Sequence, residues 1–181
     1  ILHFFGDGRF LWASERDGFR HLYLYGVGEP RQLTRGDWEV VDLHGVDAAR
    51  GLAWVTTTKD SPLERQLYSV DLNSGALQRR SMEPGTHAVS MAANGAYYLD
   101  SWQSHTSPSR QTLMSGTGTL VITLREPRAS EYELLPVENL TFKGKDGTLF
   151  YGQIIKPKGF TAGRKYPAIV MVYGGPHAQT V

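Results

Sequence analysis

The chain has 181 residues, with 19 basic against 18 acidic side chains, a formal charge of +1 and no cysteine. That balance leaves no charge field for nucleic acid or an anionic membrane surface. Disulfides and thiolate metal sites are excluded, while an exported and a cytoplasmic location both stay open.

From residue 1 to about 124, short aromatic or β-branched runs alternate with Gly, Asp, Asn and Ser turns and show almost no helical periodicity, which predicts an all-β region. Phe10-Leu-Trp12 recurs as Leu52-Ala-Trp54 and as Ala96-Tyr-Tyr98, at spacings of 42 and 44 residues. A second strand follows each copy: His21 to Tyr25, Gln66 to Val70 and Gln111 to Ser115, offset by 45 residues both times. A period near 40 to 45 residues with four strands per unit is the pattern of propeller blades. The predicted blades are 1–37, 38–82 and 83–124, with first strands at Leu2 to Phe5, Glu39 to Gly45 and His87 to Met91. A β-sandwich also has many short strands, but the paired recurrence favours the propeller. Trp12, Trp54, Tyr97 and Tyr98 then read as core filling rather than a sugar platform.

Three blades do not close a ring, since propellers typically use about four to eight. The chain starts without Met and stops abruptly at Val181, so it reads as a segment of a longer polypeptide with further blades before Ile1. It shows no signal peptide and no apolar run long enough to span a bilayer.

After residue 125 the texture changes. Arg125-Glu-Pro-Arg128 and the acidic, Pro-containing stretch to 138 read as a connector. Next come a strand at Leu140 to Lys143, a hairpin turn at Gly144-Lys-Asp-Gly147, a strand from Thr148 to Lys156 and a turn at Pro157-Lys-Gly159. The run Ala168 to Tyr173 is apolar without alternation, as expected of a strand buried on both faces, and Gly174-Gly-Pro176 ends it. The fold class expected is therefore mainly β, with a partial propeller at 1–124, a connector at 125–138 and the first strands of a mixed sheet at 139–181.

The corner Tyr173-Gly-Gly-Pro-His177 sits where α/β enzymes place chemistry. Glycines let backbone approach a substrate, and a phenol can donate to an oxyanion. The same residues equally describe the end of a core strand and a tight turn. No Gly-x-Ser-x-Gly elbow marks a nucleophile, and the six histidines show no metal-binding spacing, so neither a metal nor a cofactor is expected. Ser115-Gly-Thr-Gly118 reads as a hairpin turn, and Asn139-Leu-Thr141 is a glycosylation sequon that matters only in a secreted eukaryotic protein.

The segments Ser14 to Tyr23, Leu33 to Val40 and Lys165 to Pro176 resemble the prolyl oligopeptidase group of serine peptidases, most closely the dipeptidyl peptidase IV subfamily. The resemblance runs along essentially the whole chain, as last propeller blades followed by the start of an α/β-hydrolase domain. It implies a parent enzyme acting on peptide substrates, releasing N-terminal dipeptides through an acyl-serine intermediate, and a possible homodimer. It matches Tyr173 to the tyrosine that stabilises the oxyanion. The family's catalytic triad falls beyond Val181, and its paired glutamates for the substrate amine belong to an earlier blade, so substrate-binding residues cannot be placed. The segment alone should be inactive. Alternatives are an oligopeptidase or acylaminoacyl peptidase of the same group, or a non-catalytic propeller interaction module.

Overall fold

A computed structural model describes residues 1–26, 28–128 and 131–173, and every regular element among them is a β-strand. The chain divides into two compact units, Ile1–Arg128 and Ala129–Val181. The first is a partial β-propeller of three antiparallel four-stranded blades, each in simple meander order. Blade 1 comprises β1 (Leu2–Phe4), β2 (Phe10–Ser14), β3 (His21–Tyr25) and β4 (Arg31–Gln32). Blade 2 comprises β5 (Val40–Asp47), β6 (Leu52–Thr57), β7 (Gln66–Asp71) and β8 (Leu77–Arg79). Blade 3 comprises β9 (Thr86–Met91), β10 (Tyr97–Ser104), β11 (Ser107–Ser115) and β12 (Leu120–Arg125).

The blades stack face to face, because an alternating strand offers one apolar face to each neighbour. Leu11, Leu22 and Leu33 of blade 1 pack with Ala53, Val55, Tyr68 and Val70 of blade 2. On the opposite face of blade 2, Trp54 and Leu67 pack with Tyr98 of blade 3. Trp54 and Tyr98 are thus core residues, as the repeat predicts, but Trp12 and Tyr97 are not: they are 48% and 50% exposed. The physical reason is the period of two. Leu11 is the residue of β2 that faces blade 2, so Trp12 points to the other face, beside Phe10 and Tyr25. In β10 it is Tyr98 that faces blade 2, which leaves Tyr97 outward.

Two polar devices recur between blades. Thr34 Oγ1 accepts from Leu22 N at 2.9 Å and contacts His21 Nδ1 at 3.1 Å, while His21 Nε2 contacts the Gly36 carbonyl at 2.9 Å. One blade on, Ser81 Oγ accepts from Leu67 N at 2.8 Å and donates to Gln66 Oε1 at 2.6 Å, while Gln66 Nε2 donates to the Glu83 carbonyl at 3.0 Å. The second device is a glycine in the turn before each outermost strand. A Cβ on Gly75 would lie 2.7 Å from the Leu33 carbonyl oxygen of blade 1, and one on Gly118 would lie 2.6 Å from that of Arg80 in blade 2. Arginines lock the same junctions: Arg31 donates to the Leu72 and Asn73 carbonyls, and Arg80 Nη1 to that of Thr117 at 3.0 Å.

Among the described residues the second unit contains one hairpin, β13 (Val137–Lys143) and β14 (Leu149–Ile155), paired from Val137↔Ile155 to Lys143↔Leu149. Its turn is the predicted one, with Asp146 accepting from Thr148 N at 3.0 Å and Phe142 stacked on Phe150. The run Ala168 to Tyr173, expected as a strand buried on both faces, carries no ladder, and Ile169 to Val172 are exposed. Such a strand needs a neighbour along each edge, and the only sheet described in this unit is the two-stranded hairpin.

Candidate functional site

Tyr173, the one residue matched to a catalytic role, is 63% exposed and directly follows the apolar run. Gly174, Gly175, Pro176 and His177, expected to form the loop beside it, lie outside the described residues. Among the described residues no hydrogen bond to the Tyr173 hydroxyl is found. The described residues contain no group of three potential metal ligands.

A cluster of polar contacts lies where blade 2 passes into blade 3, around Glu83-Pro84-Gly85. Donors from both blades converge on this short connection. Gln66 Nε2 and His87 Nε2 meet the Glu83 carbonyl at 3.0 and 2.9 Å, and Trp102 Nε1 donates to that of Pro84 at 3.0 Å. The Arg110 guanidinium pairs with the Glu83 carboxylate and lies over the Trp102 ring, 4.7 Å from its centroid. Burial pushes the Glu83 carboxyl up, but the Arg110 hydrogen bond, a backbone hydrogen bond and the nearby positive charge together outweigh it and hold the group below its ordinary range.

Within this cluster His87 Nδ1 contacts Asp100 Oδ2 at 2.7 Å, both side chains almost wholly buried. An acid orienting an imidazole is half of a catalytic triad. Here the other nitrogen, Nε2, is committed to the Glu83 carbonyl and faces no hydroxyl nucleophile. The pair is a structural strut. His21 is similarly held by Thr34 and Gly36, and His44 contacts Thr56 Oγ1 at 2.6 Å. Burial holds the His44 imidazole below its usual range.

Two tyrosines are tied to aspartates at corresponding places in blades 1 and 2. Tyr23 donates to Asp17, and Tyr68 donates to both Asp60 oxygens at 2.9 and 2.8 Å. Burial, followed by the hydrogen bond and the nearby negative charge, pushes both phenols up to about 12. Sequence reasoning singled out neither these pairs nor His87–Asp100. A basic residue followed by Asp, Arg16-Asp17 and Lys59-Asp60, ahead of Tyr23 and Tyr68, is the signal that could have found the first two.

A sequence profile of the family described as "Dipeptidyl peptidase IV (DPP IV) N-terminal region" matches residues 1–109. The chain belongs to that family. Among relatives of the dipeptidyl peptidase IV type, the chain is 36% identical over 191 residues to an Emericella nidulans protein named "Probable dipeptidyl-aminopeptidase B", with 97% of this chain and 20% of that protein covered. It is 28% identical over 212 residues to human dipeptidyl peptidase 8, with 95% of this chain and 24% of that one covered. Porphyromonas gingivalis dipeptidyl peptidase 4 has a crystal structure that superposes with a TM-score of 0.82 at 32% identity, across 92% of this chain and 24% of that one. The chain thus spans about a fifth to a quarter of the length of these dipeptidyl peptidase relatives.

Proposed function

We propose that the chain is the end of the propeller and the start of the catalytic domain of a serine exopeptidase that releases dipeptides from peptide N-termini. The observation that carries this reading is coverage. Nearly the whole chain aligns with dipeptidyl peptidases while accounting for only a fifth to a quarter of their length, and a crystal structure bearing that name superposes on 92% of it with a TM-score of 0.82. In this reading residues 1–124 are propeller blades, 125–138 a connector and 139–181 the opening of an α/β-hydrolase domain. Tyr173 supplies one oxyanion donor; the nucleophile, base and orienting acid come from elsewhere in the longer polypeptide, so the segment alone is inactive.

The role of the blades follows from their rigidity. Repeated glycine contacts and arginine locks fix one blade against the next, which suits a wall that limits access to a site rather than a moving lid. The test is hydrolysis of a chromogenic dipeptidyl anilide by the full-length protein. Release of the anilide, blocked both by a serine-directed fluorophosphonate and by acetylating the substrate's amine, is the result expected. Cleavage that persists on the acetylated substrate would transfer the protein to the oligopeptidases.

A further inference from the structure

The turn before each outermost strand carries a glycine with positive φ: Gly28 at +90°, Gly75 at +77° and Gly118 at +92°. Two of them are seats for a neighbouring blade. A Cβ on Gly75 would lie 2.7 Å from the Leu33 carbonyl oxygen and one on Gly118 would lie 2.6 Å from that of Arg80, each in the blade before. Leu33 and Arg80 are equivalent positions, since their amides donate to the Leu22 and Leu67 carbonyls at 2.8 Å. At Gly28 a Cβ would meet no atom of the described residues within 4 Å. Gly28 thus has the backbone of a junction glycine, on the side of blade 1 turned away from blade 2.

The sheet face on that side tells the same story. In blade 2 the cross-strand pairs Ala53↔Val70 and Val55↔Tyr68 meet blade 1 and are at most 5% exposed. The corresponding pairs of blade 1 are Phe10↔Tyr25 and Trp12↔Tyr23, and β1 adds Leu2 opposite Trp12 and Phe4 opposite Phe10. Leu2, Phe4 and Trp12 are exposed, and Phe10 stacks on Tyr25 at 4.8 Å. A contiguous apolar face of this kind is a contact surface. Between blades 1 and 2, Leu11, Leu22 and Leu33 fill the space left by Ala53, Val55 and Val70. The outer face of blade 1 already holds aromatic rings at those positions, and a carbonyl seated on a glycine fixes how far apart two blades lie. Close packing then requires small side chains on the incoming face. The junction of blades 2 and 3 makes the same trade: Trp54 lies against Gly95, where a Cβ would be 2.4 Å from the ring.

We propose that the outer face of blade 1 receives a further four-stranded blade of the same polypeptide, which seats a backbone carbonyl of its outermost strand on Gly28 and packs side chains no larger than valine on Phe4, Phe10, Trp12 and Tyr25. The chain spans only about a fifth to a quarter of its dipeptidyl peptidase relatives, which leaves room for that blade. The assignment rests on the reading of the chain as part of a longer propeller and not on catalysis, so a failed anilide assay leaves it standing.

The test uses the full-length protein. Subtracting the emission of Trp12→Phe from that of the unaltered protein isolates Trp12, which should resist quenching by iodide, as an indole on an open face does not. Gly28→Ala should lower the thermal midpoint as far as Gly75→Ala does and further than Gly18→Ala, whose φ of +98° carries the same left-handed penalty with open space around it. Ready quenching of Trp12, or equal midpoints for Gly28→Ala and Gly18→Ala, would overturn the proposal. So would shielding of Trp12 that is lost on dilution together with a dimer, because the face would then belong to a second copy. Should Gly28→Ala fail to fold, the quenching of Trp12 decides the matter alone.

Discussion

Asp100 Oδ2 lies 2.7 Å from His87 Nδ1, and the two residues are 5% and 2% exposed. Breaking such a buried pair from one side strands a charged group that has lost its partner, typically at about 3–5 kcal/mol, whereas replacing both partners by apolar residues costs far less. His87→Leu should therefore lower the urea stability of the full-length protein by about that amount. The double variant His87→Leu, Asp100→Leu should recover a large part of the loss. A double variant as unstable as the single one would show that the contact is incidental.

Gly75 combines a φ of +77° with a seat against the Leu33 carbonyl oxygen. Gly8 has a similar φ of +87° and open space where a Cβ would go. Alanine at either position should incur the left-handed penalty of about 1–2 kcal/mol. At Gly75 it should additionally force the blade 1 carbonyl away. The difference in thermal midpoint between Gly75→Ala and Gly8→Ala isolates the blade junction, and equal midpoints would remove it as a cause of rigidity.

The phenols of Tyr23 and Tyr68 are pushed up to about 12, from an ordinary value of 10.0, by burial and by the aspartates that accept from them. A phenol raised in the folded state favours folding as long as it keeps its proton. Its contribution is fully present below pH 10, the unfolded value, and is lost as pH rises from there to about 12. Absorbance of tyrosinate should show these two residues titrating late, together with unfolding. In Tyr68→Phe the alkaline loss of stability should be shallower; an unchanged slope would mean that the Asp60 contact does not persist in solution.

The blades were legible because aromatic and β-branched residues alternate between glycine-bearing turns, and a strand needs little more than that. Facing was harder. Trp12, Trp54 and Tyr98 look equivalent in the sequence, yet Trp54 and Tyr98 meet across one junction while Trp12 looks the other way. A shift of one residue reverses the face, and only the partner blade fixes the shift. Contacts such as Trp54 Nε1 to the Gly116 carbonyl, 3.1 Å apart in space and far apart in the chain, have no local signature. The run ending at Tyr173 shows the converse: its apolar composition is plain, but a ladder requires neighbours that composition does not supply.

Strand β12 is the edge of blade 3, and Leu120, Val121, Ile122 and Leu124 along it are all about half exposed or more. The edges of blades 1 and 2 are the two-residue β4 and the three-residue β8, both bearing arginine. Short edges that carry a charge among two or three residues resist pairing with other chains, and a longer one whose only charge is the terminal Arg125 invites it. The 181-residue chain in isolation should self-associate with rising concentration, as read by light scattering. Ile122→Lys places a charge on that edge and should shift the distribution toward monomer. Association that is indifferent to this substitution would move the contact elsewhere.

Tyr173 carries the functional reading to its sharpest test. An oxyanion donor acts when charge develops on the tetrahedral intermediate, so its loss falls on the transition state more than on bound substrate. Tyr173→Phe in the full-length protein removes the hydroxyl and keeps the ring, so packing changes little. Turnover should drop by roughly a hundredfold or more, equivalent to about 3 kcal/mol, with KM altered only a few-fold. In the proposed reading the acid and base of the reaction are other groups, so the pH at which activity appears should not move. A KM that rises while turnover holds would make Tyr173 a binding residue, and unchanged kinetics would return it to the plain end of an apolar run.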